Sequence, residues 1–284
     1  MLILWEVQSM NKLLSSNFAR LIKAKPFWFV IIVMSALMAI ITLQQTVYQS
    51  LSMDSVLFGY TVPVGFLTAV FCSLFLGTEY SDGTLRNKLV VGHTRNTIYL
   101  ANLITCTAAA LLISLAGIII TLITGLPLLG SIQTDRVTVL ILFLDSILMI
   151  AAFSSIFTQL GMLISNKAIA AIACMICIVA LILAAVIINS RLQEPETLSN
   201  YIRLDTFDGI TTVTPGEAEP NPLFLQGIKR TIYEFFYDFL PTGQSFQISS
   251  RSAAHPWQMP LYSLIIAIIT SLSGLFFFRR KDLK

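Results

Sequence analysis

Residues 77 to 99 read GTEYSDGTLRNKLVVGHTRNTIY, and they interrupt an otherwise apolar part of the chain. One apolar run ends at Leu76, and a second extends from Ile98 to Thr124. Each run is long enough to cross the hydrocarbon core of a bilayer, which takes about 20 helical residues. The polar stretch is therefore predicted to connect two membrane-spanning helices, and it is longer than a simple turn requires.

The composition excludes an ordinary soluble protein. The 284 residues are 56% hydrophobic and 12% charged, whereas soluble domains contain about 25% charged residues. The apolar runs lack the alternating pattern of barrel strands, so we expect an all-α membrane protein with six transmembrane helices. The predicted spans lie near residues 27–43, 56–76, 98–124, 137–164, 168–188 and 261–278. No small-residue cleavage motif follows the first run, and we expect it to be retained as a span.

The basic residues predict the orientation. Twelve Lys and Arg residues flank the spans on the side that carries both termini and residues 77–97, and six lie on the other side. Cytoplasmic flanks are enriched in Lys and Arg, so we expect both termini and residues 77–97 in the cytoplasm and the loop 190–258 outside. The net charge of +3 gives no reason to expect nucleic-acid binding.

Residues 1–25 are predicted to form a cytoplasmic amphipathic segment, and residues 26–284 a single six-helix transmembrane domain. Apolar residues recur at helical spacing in the first segment, and basic residues accompany them, which is typical of a helix lying on the inner membrane surface. The apolar set is Leu13, Leu14, Phe18, Leu21 and Ile22, and the basic set is Lys12, Arg20, Lys23 and Lys25.

The large loop between spans 5 and 6, residues 190–258, is predicted to contain a second amphipathic helix. Its second half has an apolar side and an Arg230–Glu234 pair at i,i+4, and Pro241 ends the run. The apolar side consists of Leu225, Ile228, Ile232, Phe235, Phe236 and Phe239. Because this helix is so aromatic, we expect it to lie at the outer membrane boundary against the other helices. Its candidates for an outer gate are Ile232, Phe235, Phe236 and Phe239.

Catalytic chemistry is not indicated. The chain has no phosphate-loop, dinucleotide-binding, zinc-protease or nucleophile-elbow motif. Its two histidines, His93 and His255, are far apart and predicted on opposite sides of the membrane. The four cysteines all fall inside predicted spans, so no disulfide-stapled outer domain is expected. We therefore predict no catalytic residues, no metal site and no enzyme activity in this chain.

Asp145 is the one ionisable residue predicted inside the membrane. A carboxylate there costs several kcal/mol or more unless it is paired, protonated or solvated. It is therefore a candidate for the substrate path. The alternative is a helix-packing hydrogen bond, or a position close to the outer interface.

The polar stretch itself is predicted to contain a short helix. Leu85, Leu89 and Val90 are at helical spacing, Asp82 is near the start, and basic residues follow, as the helix dipole favours. This predicts a cytoplasmic helix that offers charged groups to a partner. The alternative is that the charges only anchor two spans at the inner surface.

The segment EYSDGTLRNKLVVGHTRNTIYLANL resembles the connection between the second and third spans of bacterial ABC-2-type transporter permeases, the group with bacitracin-, lantibiotic- and sodium-export subunits. The later FLPTGQ, residues 239–244, is similar to a segment common before the last span of that family. The residues that match in the first segment are Glu79, Asp82, Gly83, Thr84, Arg86, Gly92 and Arg95.

The resemblance implies a permease subunit of an ATP-driven exporter in the bacterial plasma membrane. A separate ABC ATPase subunit, in two copies, would bind ATP and Mg, and this chain would hold no cofactor. A second permease subunit, identical or different, would complete the translocation path in the lipid bilayer. The implied ATPase-docking residues are Glu79, Asp82, Gly83, Thr84, Arg86 and Arg95. Two alternatives stay open: a membrane-embedded binding or sensor protein that uses the 190–258 loop, and an ion-coupled carrier.

Overall fold

Six long helices coincide with the six predicted spans. The computed structural model describes residues 2–47, 52–198, 203–207, 210–214 and 219–282. Within these residues, six helical segments are long and apolar enough to cross a membrane. They are α2 (Lys25–Val47), α3 with α4 (Asp54–Leu57 and Thr61–Ser81), α6 (Arg95–Leu129), α7 (Arg136–Leu163), α8 (Lys167–Leu192) and α11 (Met259–Arg280). The chain is thus a multi-pass, predominantly helical membrane protein.

The second span is broken, which the hydropathy pattern did not predict. Its short first part, α3, ends at Leu57, and α4 begins at Thr61. Pro63 lies in the first turn of α4, where its missing N–H is not needed. In a continuous helix its ring would collide with the carbonyl of Gly59, four residues earlier. The Thr61 hydroxyl donates to the Phe58 carbonyl oxygen at 2.8 Å and closes the turn.

The centre of the bundle is formed by α4 and α7, which are the most buried of the spans. α4 packs against α7 and α8, and α7 also packs against α6 and α11. α2 packs along α6. Most of the surface of α8 faces outward and is apolar, as expected for a helix in contact with lipid or another membrane subunit.

Two further helices gather at one end of the bundle. α1 (Leu2–Lys23) packs against the start of α6, and α5 (Thr84–Val90) lies between α4 and α6. The last residues of α11 reach the same place, where Arg95 contacts their carbonyls. We call this the α5 end of the molecule.

The loop between α8 and α11 occupies the opposite end, and it holds more structure than the sequence indicated. Its strands form two antiparallel pairs: β1 (Thr197–Leu198) with β4 (Glu219–Pro220), and β2 (Arg203–Phe207) with β3 (Ile210–Thr214). α9 (Gly227–Phe239) follows, and Pro241 then starts a further helix, α10 (Pro241–Ser250). α10 packs against α4, α7, α8 and α9, and most of its residues are buried. We call this the α10 end.

Candidate functional site

The side chain of Glu79, at the C-terminal end of α4, is completely buried and ionically paired. One carboxylate oxygen lies 2.6 Å from Arg20 Nη1 and 2.5 Å from Lys88 Nζ. The other oxygen accepts a hydrogen bond from Asn102 Nδ2 at 2.7 Å. A buried carboxylate is tolerated only with such partners. Side chains from α1, α5 and α6 thus converge on one residue of α4.

Asn17 completes this group. Its Oδ1 accepts a hydrogen bond from Lys88 Nζ at 2.9 Å, and its Nδ2 donates to Asn102 Oδ1 at 2.7 Å. We call Asn17, Arg20, Glu79, Lys88 and Asn102 the Glu79 cluster. Burial lowers the pKa of Lys88, and the adjacent Glu79 carboxylate opposes that shift. With two cations and one carboxylate, the cluster has an excess positive charge.

The local sequence explains why α1 reaches the cluster. Leu13, Asn17 and Leu21 are spaced four residues apart, so they lie on one face of the helix, and all three are buried. Arg20 is adjacent to that face, and its guanidinium lies 3.9 Å from the centre of the Phe75 ring. The inward side of α1 therefore carries two polar groups as well as apolar ones. The amphipathic pattern identified the leucines, and a polar residue within the leucine stripe was the available signal for Asn17.

A glycine sets the reversal from α4 into α5. Gly83 has φ +67°, in the left-handed region that favours glycine. A Cβ at this position would meet nothing within 4 Å among the described residues. The backbone angle, not a close contact within the chain, therefore favours glycine here. Thr84 supports the turn, since its hydroxyl donates to the Glu79 carbonyl oxygen at 3.2 Å.

The side of α5 that faces away from the bundle carries apolar residues as well as the charged groups that the sequence predicted. Leu85 is buried, but Val90, grouped with it in the sequence, is 86% exposed, and Val91 is 77% exposed. At 100° per residue, Val90 lies about 140° around the helix from Leu85, so the two cannot share a face. Arg86 and Asn87 are also exposed. The surface of α5 is therefore mixed, with two branched apolar side chains beside a cation and an amide.

Arg95, at the start of α6, contacts the end of the last span. Its guanidinium donates to the carbonyl oxygens of Phe278 at 3.3 Å and Arg279 at 3.1 Å, and also to that of Lys281. A cation at the last carbonyls of a helix caps its C-terminal end, as Arg95 does for α11. Lys281 in turn donates to the Tyr80 hydroxyl at 2.8 Å. Burial lowers the pKa of Lys281 to about 8.

The six predicted docking residues thus fall into different positions around α5. Asp82 and Arg86 are exposed, and Asp82 accepts a hydrogen bond from the Ser81 hydroxyl at 3.0 Å. Gly83, Thr84 and Arg95 are half-buried, and Glu79 has no exposed surface. A partner could contact the exposed residues directly, whereas the buried Glu79 contacts α5 through Lys88. The docking role of the set stays a prediction.

Asp145 lies within the subunit, on the side of α7 that faces α10. Its side chain is completely buried, and neither carboxylate oxygen accepts a hydrogen bond from the described residues. The adjacent Ser146 hydroxyl bonds to the Tyr60 hydroxyl at 2.8 Å. One turn along α7, Met149 is contacted by Ser245 of α10, with Oγ 3.2 Å from the sulfur. Asp145 would touch a substrate only if the bundle opened there, and its path role stays a prediction.

The four gate candidates lie on the less buried side of α9, and Phe235 and Phe239 contact the last span. Ile232, Phe235 and Phe236 are each about half exposed. The rings of Phe235 and Phe239 pack with Tyr262 of α11, with centroids 5.6 to 5.9 Å apart. The fully buried residues of α9 are Tyr237 and Asp238. Arg230 and Glu234 form the predicted pair at 2.9 Å (Nε to Oε1).

Buried polar groups hold α10 in place, and the sequence did not reveal them. Asp238 accepts a hydrogen bond from Gln247 Nε2 at 2.9 Å and lies 3.0 Å from His255 Nδ1. Gln244 donates to the Asp238 carbonyl oxygen at 2.8 Å and accepts from the Ser263 hydroxyl at 2.6 Å. These bonds join α9, α10 and α11, and they satisfy amides that hydropathy alone would place in water.

No protein-family model and no curated protein matches the chain. Within the described part of the chain, no three His, Cys, Asp or Glu side chains are arranged to hold a metal ion. The four cysteines are free thiols, and Cys177 is the one among them that is not fully buried.

Proposed function

We propose that the chain is the membrane subunit of an ATP-driven exporter of the ABC-2 permease type, and that a separate ATPase docks on α5. The proposal is supported above all by one observation. α5 presents an exposed mixed surface and is at the same time joined to three other helices through the buried Glu79 cluster. A helix that only linked two spans would need no such cluster.

The exposed side of α5 has the chemistry of a protein contact. Val90 and Val91 are solvent-exposed in a segment that is otherwise polar, and Arg86 is close by. The buried core of an interface is more apolar than its rim, and Arg is enriched in interfaces. A cavity of about 240 Å³ opens between Gly83, Arg86 and Ser165, and it offers space for a side chain of the partner.

In this proposal the Glu79 cluster transmits the motion of the ATPase. A displacement of α5 moves Lys88, and separating Lys88 from Glu79 would leave buried charges unpaired, which typically costs about 3–5 kcal/mol. The four elements α1, α4, α5 and α6 would therefore move together rather than slide past one another. Two such subunits would form the translocation path, and both termini would lie in the cytoplasm.

Co-purification tests the docking proposal. The tagged chain is isolated from its own membranes, and the bound ATPase is measured by mass spectrometry and by ATP turnover. Arg86→Glu and Val90→Asp should each reduce the recovered ATPase at least tenfold, because each places a charge in the contact. Lys229→Glu is the matched control, since this cation is exposed on α9 at the α10 end. The proposal fails if no ATPase accompanies the wild-type chain, or if all three variants retain it equally.

Cysteine labelling tests the proposed sidedness. Ser81 at the α5 end and Ser252 at the α10 end are both exposed. In intact cells, an impermeant thiol reagent should label Ser252→Cys and leave Ser81→Cys unlabelled until the cells are broken. The reverse pattern would overturn the orientation.

A further inference from the structure

A second cavity, of about 270 Å³, lies between α1 and α5. Its described lining includes Lys12, Lys88 and His93, and no acidic side chain is among those described residues. Its volume is just under the ~300 Å³ at which pockets for whole drug-sized ligands begin, so it suits a smaller group. We propose that this cavity binds the phosphate group of an anionic phospholipid.

The charge balance around the cavity favours an anion. Lys88 and Arg20 share the single carboxylate of Glu79, and Lys12 adds a further cation to the described lining of the cavity. Lys88 Nζ has three hydrogens, and Glu79 and Asn17 accept two of them. One of the three hydrogens is therefore left without an acceptor among the described residues.

Two further observations support the excess of positive charge. Among the described residues, Nε and Nη2 of Arg20 have no hydrogen-bond acceptor although both are buried. Burial lowers the pKa of His93, and the positive charges of Lys88 and Lys12 lower it further. An anion in the cavity would lie beside Lys12 and Lys88, which border it, whereas Arg20 would be reached only through the Glu79 cluster.

The remaining lining suits a lipid better than a bare ion. Ser16 and Asn87 offer a hydroxyl and an amide to phosphate or glycerol oxygens. Leu13 provides an apolar wall beside them, where the glycerol and the first part of an acyl chain would lie. Hydrogen-bond donors for a phosphate group, next to an apolar surface, suit the headgroup and the acyl chains of a phospholipid.

The location is that of a membrane surface. α1 leads directly into the first span, and Trp28 in the first turns of that span donates from its indole nitrogen to the Ile22 carbonyl oxygen at 2.7 Å. Tryptophan is enriched at the level of lipid headgroups. Basic segments beside spans are attracted to anionic leaflets. The lipid proposal does not depend on the ATPase, and only the choice of leaflet rests on the proposed sidedness.

The test measures thermal unfolding of the full chain in neutral detergent, without ATPase. Phosphatidylglycerol, phosphatidylcholine and inorganic phosphate are each added over a concentration series. We expect saturable stabilisation by phosphatidylglycerol and little by the other two. Equal stabilisation by inorganic phosphate would identify a free-anion site instead, and equal stabilisation by phosphatidylcholine would show a general lipid effect; either result overturns the proposal.

Variants locate the binding. Lys12→Gln should weaken apparent phosphatidylglycerol affinity about fivefold, which corresponds to the ~1 kcal/mol that one Lys contributes near an anionic surface. Lys23→Gln is the matched control, because it removes an exposed cation from the same helix away from the cavity. Ser16→Phe should fill the cavity and abolish saturable binding. If Lys12→Gln and Lys23→Gln weaken binding equally, the attraction belongs to the basic surface in general and the proposal is wrong.

Discussion

Glu79→Gln is the substitution that most directly tests the role of the buried cluster. The amide keeps the size of the side chain but removes its charge, so Arg20 and Lys88 lose their shared counter-ion. Their nitrogens lie 2.6 and 2.5 Å from the carboxylate. Breaking a buried ion pair from one side costs about 3–5 kcal/mol. Because Arg20 keeps some exposure to solvent, we expect a loss at the lower end, about 3 kcal/mol.

The expected result is a clear drop in thermal stability of the isolated chain. At roughly 2–4 °C per kcal/mol for domains of 150–250 residues, a loss of ~3 kcal/mol lowers the Tm by about 6–12 °C. Asp82→Asn is the matched control, because this carboxylate is exposed and three residues away. Exposed charges contribute at most ~1 kcal/mol, so the control should change the Tm by a few degrees or less.

A double variant separates charge imbalance from a general packing fault. Lys88→Met in the Glu79→Gln background removes one of the two uncompensated cations, and it should recover part of the lost stability. The reasoning is refuted if Glu79→Gln unfolds at the same temperature as Asp82→Asn. It is also refuted if the double variant loses the sum of the two single losses, since the residues would then act independently.

Three further outcomes follow from the structure. Gly243→Ala would place a Cβ 2.1 Å from the carbonyl oxygen of Tyr237. We therefore expect α9 to separate from α10, which would lower the Tm and expose α9 to protease cleavage. An unchanged digest would contradict this. Asp145→Asn and Asp145→Leu should leave the Tm equal or higher, because the carboxylate oxygens lack partners among the described residues. Both variants should reduce transport if Asp145 serves the substrate path. Normal transport by both variants would assign the residue to packing. For Lys281, whose pKa falls from 10.5 to about 8 on folding, the charge destabilises the fold fully below about pH 8 and less as pH rises toward 10.5. The wild type should therefore gain stability relative to Lys281→Met over that window, and a parallel pair of Tm curves would count against the shift.

The spans were predictable because hydropathy is a local property. Each long apolar run must be helical in a bilayer, whatever its neighbours are, since only internal hydrogen bonds can satisfy its backbone. The break in the second span was also encoded locally, at Pro63. α10 was not, because Thr242, Gln244 and Gln247 look suited to water. Their partners, such as Leu181 and Ser263, are supplied by helices far away in the sequence.

The candidate site was predictable in part for the same reason. The polar stretch located Glu79 and α5, and Lys88, which pairs with Glu79, lies in the same stretch. Arg20 and Asn17 lie on a different helix, and no local pattern links position 20 with position 79. A buried carboxylate does require a counter-charge, but the sequence does not reveal which of the many basic residues near the spans supplies it.

The short length of α5 connects these observations. Seven residues are far below the 12–15 at which an isolated helix becomes even marginally stable, so α5 depends on tertiary contacts. Those contacts all lie on its inner side or at its ends: Leu85 and Lys88 pack inward, and Gly83 and Gly92 adopt left-handed angles that close it. Because these residues hold the helix in place, its outer side is not needed for that purpose. Exposed valines there would be unfavourable in a surface that met only water, whereas a docked partner would cover them. The residues that hold α5 and the residues that would touch a partner are therefore different ones, and substitutions in the two groups should separate loss of stability from loss of binding.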